Sequence, residues 1–209
     1  ELKEFLAPTS LNILTLPNPI DCRRIEANAA ERYGDYRDVL CGQPFLVSVA
    51  SLTTQKNHIQ MLDVFASLLP KSDEDQALKL VLLGDGPMRK QLHDQCRRLD
   101  LSFFDAESAG NFNDDAQVYF LGFQKNPYRL LSKARLMILT SHWEGLPIAL
   151  LEAMALGIPS VVSDCSQGIR EAWNLTGESA DNVTLSKVIT TPFGVLVPLS
   201  DDTESAQII

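Results

Sequence analysis

Short apolar runs alternate with amphipathic segments along most of the chain, and this alternation limits the folds that it can adopt. The runs predict strands at Phe45–Ala50, Leu78–Leu83, Val118–Leu121, Leu136–Thr140, Ser160–Ser163 and Gly194–Val197. The segments between them predict helices at Asn57–Leu69, Pro87–Leu99, Tyr128–Ser132, Pro147–Leu156 and Gln167–Trp173. Strands that are nearly continuous apolar runs are typical of a parallel sheet covered on both faces. The sequence therefore predicts an α/β fold with a doubly wound, Rossmann-like parallel sheet of about six strands.

Three polar regions interrupt this alternation. We interpret residues 1–44 as an interdomain linker followed by the first elements of the domain, with an apolar run at Ile13–Leu16 and a polar helix around Arg23–Tyr33. Residues 102–117 predict a loop, and residues 174–191, rich in Ser, Thr, Asn and Asp, predict a mobile loop. Residues 45–209 are expected to form a single globular domain.

Composition excludes several classes of protein. The net charge of −9 argues against a nucleic-acid partner, which requires a basic face. No apolar run is long enough to span a membrane, and no signal peptide is visible at residue 1. The four cysteines form no Cys-x-x-Cys pair, so we expect reduced thiols in a cytoplasmic protein and no zinc site.

The most informative stretch for function is 141–164, which contains two glutamates separated by seven residues. Glu144 precedes Gly145-Leu146-Pro147, and Pro147 is suited to be the first residue of a helix that contains Glu152 in its second turn. The amino end of a helix binds anions through free N–H groups and its dipole. Carboxylates beside such an end accept hydrogen bonds from hydroxyl groups. The stretch therefore predicts a ligand that contains both phosphate and sugar.

Turns after other predicted strands also contain residues suited to contact a bound ligand, namely glycines and a lysine. Gly84-Asp85-Gly86-Pro87 opens a helix, but position 89 is arginine where a dinucleotide fingerprint has glycine, so a nicotinamide cofactor is disfavoured. Contact with a ligand and a purely structural turn remain equally open for this segment. Lys56 follows the first strand and could reach a phosphate as a point charge. Gly122, after the third strand, permits close approach of a flat group such as a base.

Taken together, these motifs resemble the nucleotide-sugar-binding C-terminal half of a retaining GT-B glycosyltransferase of family four, also called group 1. The resemblance runs from about Asn18 to Pro198. Its segments occur in the family's order: Pro17–Asp21, Val47–His58, Leu80–Arg89, Val118–Pro127, the paired-glutamate signature Ser141–Asp164, Ser166–Glu171 and Gly194–Pro198.

The resemblance implies roles for individual residues. The catalytic residues would be Glu144, which contacts the transferred sugar, and Lys56, which neutralises the departing diphosphate. Donor binding is implied for Glu152 at the ribose, the Gly145 and Leu146 amides at the diphosphate, Gly122 and Phe123 at the base, and Ser51, Gly84 and Gly86 in the adjoining turns.

One position departs from the family pattern. Ser51 stands where the family usually has an arginine, five residues before the lysine. The loss of one charged hydrogen bond at the transition state costs ~2–4 kcal/mol at comparable sites. Arg89, Lys125 and Arg170 are the candidates to supply the missing charge.

The implied reaction moves a hexose from a UDP- or GDP-sugar to a glycan or lipid-linked acceptor, with no metal or other cofactor. An acceptor-binding domain would precede residue 1, so we expect no turnover by this chain alone. The whole enzyme would serve polysaccharide biosynthesis in the cytoplasm, with peripheral contact at the inner face of the membrane. Two alternatives stay open, namely one half of a non-hydrolysing nucleotide-sugar epimerase and a degenerate nucleotide-binding module without activity.

Overall fold

The computed structural model describes residues 18–31, 42, 44–69, 78–108, 112, 113, 115–175 and 187–199. The α-helices in these ranges are α1 (Cys22–Ala30), α2 (His58–Leu68), α3 (Arg89–Arg98), α4 (Tyr128–Leu131), α5 (Ile148–Ala155) and α6 (Gln167–Ala172). The strands are β1 (Phe45–Val49), β2 (Lys79–Leu83), β3 (Phe103–Asp105), β4 (Val118–Phe120), β5 (Leu136–Leu139), β6 (Ser160–Ser163), β7 (Ile189–Thr191) and β8 (Gly194–Val197).

All eight of these strands form one sheet in the order β3-β4-β2-β1-β5-β6-β8-β7. Every neighbouring pair is parallel except β7 with β8. The chain runs from β1 to β2 on one side and later returns to place β5 on the other side of β1. The loops after β1 and β5 therefore flank the switch point of the sheet. Open sheets of this kind bind their ligands at this place.

Two apolar cores lie on opposite faces of the sheet, because successive strand residues point to opposite sides. In β1, Phe45 and Val47 belong to the core formed with α4, α5 and α6. Leu46 belongs to the core formed with α2 and α3. Both faces are covered, which explains why the central strands are apolar at most of their positions. The doubly wound α/β fold predicted from the sequence is confirmed.

Two short edge strands make the sheet larger than the six strands expected. The prediction of a loop over 102–117 is wrong at Phe103–Asp105, which forms β3 and pairs with β4. Likewise, Ile189–Thr191, at the end of the predicted mobile loop, pairs with β8. Three residues are too few to produce a recognisable period, and such strands form because a neighbouring strand offers hydrogen bonds. Residues 176–186, which make up most of that predicted loop, lie outside the described residues.

Helix boundaries differ slightly from the prediction, by a residue or two, as such assignments commonly do. Pro147 is not the first helical residue of α5, because its extended backbone (φ −68°, ψ 114°) makes it the N-cap and Ile148 the first. Glu152 still lies in the second turn.

Helix α1 begins one residue before the polar helix predicted around Arg23–Tyr33 and ends at Ala30. Asp21 caps it by accepting a hydrogen bond from the Arg24 N–H, and α1 packs against α4 and α5. The apolar run at Ile13–Leu16 and the end of the predicted helix at Tyr33 lie outside the described residues. The proposed division at residue 44 remains a prediction.

Candidate functional site

The loops after β1 and β5 are joined across the switch point by hydrogen bonds. The His142 N–H donates to the Gln55 carbonyl at 2.8 Å, and Gln55 Nε2 donates to the Trp143 carbonyl at 2.7 Å. Thr140 Oγ1 lies 3.0 Å from the Lys56 carbonyl and donates to it. The relative placement of the two loops is thus fixed by bonds between residues distant in sequence.

This junction brings the two predicted catalytic residues together. Lys56 ends a 3₁₀ turn, and Asn57 follows it with φ of 48°, a left-handed conformation that asparagine tolerates. The Lys56 ammonium forms an ion pair with Glu144 Oε1. Ser141 Oγ donates to the same oxygen at 2.7 Å. The Glu144 side chain is only 7% exposed, so its carboxylate has a fixed position beside the lysine.

Gly145 is closely packed on the side that faces the start of α6 and open on the opposite side. Its carbonyl accepts a hydrogen bond from Ser166 Oγ at 2.8 Å, and the same hydroxyl accepts from the Ile169 N–H as the N-cap of α6. A Cβ on Gly168 would lie only 2.4 Å from the Gly145 carbonyl oxygen. By contrast, a Cβ on Gly145 would meet no atom of the other described residues within 4 Å. The open side of Gly145 leaves room for a ligand.

The amino end of α5 follows directly after these residues. Its N-cap, Pro147, makes no side-chain capping hydrogen bond. The first amides of a helix have no partner within the helix, and the dipole makes this end attractive to anions. Gly145, Leu146 and the first turn of α5 therefore form a place where a phosphate group can bind.

Glu152 is held by a tyrosine from the neighbouring helix. The Tyr128 hydroxyl donates to Glu152 Oε1 at 2.8 Å. Partial burial raises the pKa of Glu152, and the hydrogen bond from Tyr128 acts in the opposite direction. Burial, together with the bond to Glu152, raises the pKa of Tyr128 to about 12, so the phenol keeps its proton at neutral pH.

A cavity of about 370 Å³ lies at the carboxyl ends of β1 and β2, under the loop after β4. Ser51, Gly84 and Phe123, three of the residues predicted to bind the donor, line it. Phe123 as a residue is 77% exposed and lines the cavity at its open side. The cavity has the size and the largely apolar walls that suit a small planar ligand.

The glycines of the turn after β2 have a structural role whether or not a ligand binds. A Cβ on Gly84, whose φ is +149°, would lie 1.9 Å from the Ala50 carbonyl oxygen. A Cβ on Gly86 would lie 2.5 Å from the Leu52 carbonyl oxygen. Both residues must be glycine for the loops after β1 and β2 to pack. Gly86 and Gly122 do not line the cavity, and their donor-binding roles remain predictions.

Two of the three candidates to replace the missing arginine are already paired. Arg89 forms ion pairs with the carboxylates of Asp85, Asp105 and Glu107. Arg170 is buried and makes a bidentate contact with Asp164. Lys125 lies exposed on the loop after β4. Both arginines are therefore already engaged by carboxylates, and a role for either of them in place of the missing arginine remains a prediction.

Sequence reasoning missed the residues that hold the predicted ones in place, namely Ser141, Tyr128, Ser166 and Gly168. Only Ser166 had a recognisable signal, since a serine directly before a helical pattern is a common N-cap. The other three act through contacts between different elements, and local sequence carries no sign of such contacts.

The described ranges contain neither a metal-binding cluster nor a membrane-spanning helix. They contain no group of three or more His, Cys, Asp or Glu side chains that could hold a metal ion. No helix within them has both the length and the apolar character needed to cross a membrane.

Comparison with known proteins defines the class. The chain belongs to the group 1 glycosyltransferases, since the family model "Glycosyl transferases group 1" matches residues 43–207. It is 30% identical over 166 residues to the N-acetylgalactosamine-N,N'-diacetylbacillosaminyl-diphospho-undecaprenol 4-alpha-N-acetylgalactosaminyltransferase of Campylobacter jejuni, covering 79% of this chain and 38% of that enzyme. It is also 30% identical over 136 residues to an uncharacterized glycosyltransferase of Methanocaldococcus jannaschii, covering 65% and 30%. The chain thus spans about a third of the length of these relatives.

Solved structures share the fold. Anabaena HepE in complex with UDP-glucose superposes with a TM-score of 0.57 at 23% identity, covering 83% of this chain and 40% of that one. The trehalose-6-phosphate synthase OtsA gives a TM-score of 0.62 at 14% identity, covering 91% and 41%. The fold is therefore the Rossmann-like half of a GT-B enzyme.

Proposed function

We propose that this chain is the donor-binding domain of a retaining glycosyltransferase that transfers a hexose from a UDP- or GDP-sugar. One observation carries the proposal. Two carboxylates, Glu144 and Glu152, are fixed by neighbouring side chains at the carboxyl edge of the sheet, and Gly145 between them is open at the amino end of α5. This arrangement matches the chemistry of a ligand that has hydroxyl groups on both sides of a diphosphate.

Each part of such a donor has a proposed partner. The base occupies the cavity beside Phe123, and the ribose hydroxyls donate to Glu152. The diphosphate lies against the amides of Gly145 and Leu146, and the hexose hydroxyls reach Glu144. As the glycosidic bond breaks, negative charge grows on the diphosphate, and the Lys56 ammonium with the α5 amides stabilises that charge. In this scheme the diphosphate shares Lys56 with Glu144, with which Lys56 forms an ion pair.

The remaining features of the proposal concern the whole enzyme. A glycan or lipid-linked acceptor would bind through a second domain, and transfer would proceed without a metal ion. The enzyme would act in polysaccharide biosynthesis in the cytoplasm, in contact with the inner face of the membrane. These statements rest on the resemblance to family four and on the names of relatives that act on glycans and lipid-linked sugars.

Isothermal titration of the 209-residue chain with UDP and with GDP tests donor binding. We expect one nucleotide to bind and E152A to weaken it roughly tenfold to hundredfold, since a hydrogen bond to a charged group contributes about 1.5–3 kcal/mol. The matched control is E171A, which removes an exposed glutamate from α6 and should leave the dissociation constant unchanged. Absence of heat with both nucleotides, for protein that melts cooperatively, would refute the proposal.

A degenerate nucleotide-binding module is the second candidate, and one observation favours it. Ser51 replaces a cation, and the nearby Lys56 is already paired with Glu144. Both candidates bind UDP or GDP, so binding does not separate them. Release of free UDP or GDP from a nucleotide-hexose by the longer enzyme, with an acceptor present, supports the transferase. Tight nucleotide binding without release from any nucleotide-hexose supports the module.

A further inference from the structure

Tyr128 and Glu152 form a hydrogen bond that connects two separate elements. Tyr128 is the first residue of α4 and follows the loop that borders the cavity, whereas Glu152 lies in the second turn of α5. The Tyr128 hydroxyl lies 2.8 Å from Glu152 Oε1. This bond therefore fixes the carboxylate relative to the loop after β4, on the side of the proposed base site.

The bond occupies only one of the two carboxylate oxygens. Among the described residues, Tyr128 is the donor that reaches Glu152, and it reaches Oε1. A carboxylate can accept about four hydrogen bonds in total. Oε2 is thus available to a ligand while Oε1 is held in place.

Holding Glu152 in one conformation should strengthen ligand binding. A glutamate side chain that is immobilised on binding loses rotamer freedom, and this loss of conformational entropy opposes binding. When the protein itself already fixes the side chain, this entropy loss no longer reduces the free energy of ligand binding. The phenol suits the task because it keeps its proton at neutral pH and remains a donor, as its raised pKa of about 12 indicates.

We propose that Tyr128 is a positioning residue that presents Glu152 Oε2 to the ribose hydroxyls of a nucleoside diphosphate. The inference rests on the proposed function, because it assumes that a nucleotide occupies this edge of the sheet. The positioning role makes Tyr128 a residue that increases the preference of the site for ribose over deoxyribose.

The test compares Y128F with wild type in binding UDP and GDP and their 2′-deoxy and 3′-deoxy forms. We expect wild type to prefer the ribonucleotide at least tenfold over one deoxy form. Y128F should reduce that preference threefold or more, by weakening binding of the ribonucleotide while binding of the deoxy form stays unchanged. E152A should remove the preference altogether.

Y119F is the matched control, because it also removes one tyrosine hydroxyl. Tyr119 lies in β4, and its hydroxyl accepts a hydrogen bond from Lys79, the first residue of β2, at the opposite edge of the sheet. Y119F should keep the wild-type preference for the ribonucleotide. If Y128F loses stability, the ratio of ribonucleotide to deoxynucleotide affinity in Y119F shows what destabilisation alone would do. A wild-type preference in Y128F would overturn the positioning role while leaving donor binding intact. Failure of wild type to bind either nucleotide would overturn the proposed function, and the positioning role with it.

Discussion

Replacing Gly168 with alanine should weaken nucleotide binding, although this residue lies behind the proposed site. An alanine Cβ would lie 2.4 Å from the Gly145 carbonyl oxygen and 3.3 Å from Leu146 Cα. Ordinary van der Waals contact begins at 3.4 Å, so the Gly145 carbonyl must move away by about 1.0 Å. The displaced atoms belong to the backbone, and no side-chain rotation can relieve the clash.

The expected loss of affinity follows from this displacement. A shift of 1.0 Å is enough to break a hydrogen bond from the Gly145 or Leu146 amide to a phosphate oxygen. A hydrogen bond to a charged group contributes about 1.5–3 kcal/mol, so the dissociation constant for UDP or GDP should rise roughly tenfold to hundredfold. Overpacking of this kind also costs about 1–3 kcal/mol of folding stability.

Titration calorimetry and thermal unfolding of the same preparations separate the two effects. Q167A is the matched control, because it changes the adjacent, exposed residue of α6 without adding atoms near Gly145. G168A should lose both affinity and stability, and Q167A should retain wild-type affinity. If G168A is destabilised but binds the nucleotide as tightly as wild type, the diphosphate does not lie against Gly145 and the reasoning is wrong.

Two further substitutions probe the same region. Both imidazole nitrogens of His58 are buried and have no hydrogen-bond partner among the described residues. Burial, aided by the charge of Lys56, lowers the pKa of His58 to about 4. The unfolded chain takes up this proton below about pH 6.5, whereas the folded chain does not, so the free energy of unfolding should fall by about 3 kcal/mol between pH 6.5 and pH 4. H58L should lessen that fall, as measured by urea unfolding at the two pH values. An unchanged pH dependence in H58L would show that His58 is not its source. S51R should tighten UDP or GDP binding about tenfold, and more at low salt, by restoring a cation at the cavity. S102R, which places an arginine at the amino end of β3, should leave nucleotide affinity unchanged. Equal gains in affinity from S51R and S102R would show that the added net charge, and not its position, causes the effect.

Local sequence predicted the central elements of the fold well. The core strands and the helices between them follow from apolar periodicity, which the chain carries within each element. The two edge strands β3 and β7 could not be predicted, because each has three residues and depends on pairing with a neighbour. The start of α5 was misplaced by one residue, since proline suits both the N-cap and the first helical position.

The residues of the site were predicted as types and positions, but their contacts were not. Glu144, Gly145 and Glu152 stood out because glycine, proline and two carboxylates surround a helix start. The structure added that Glu144 is paired with Lys56, 88 residues away, and that Glu152 is held by Tyr128, 24 residues away. It also gave a packing reason for Gly84 that the sequence left open.

The sequence by itself determined a layered α/β sheet and the kinds of side chain that follow its strands, because periodicity and turn chemistry act over a few residues. The tertiary structure decided which of those side chains meet. That choice depends on the order of strands, since only the placement of β5 beside β1 brings Glu144 to Lys56.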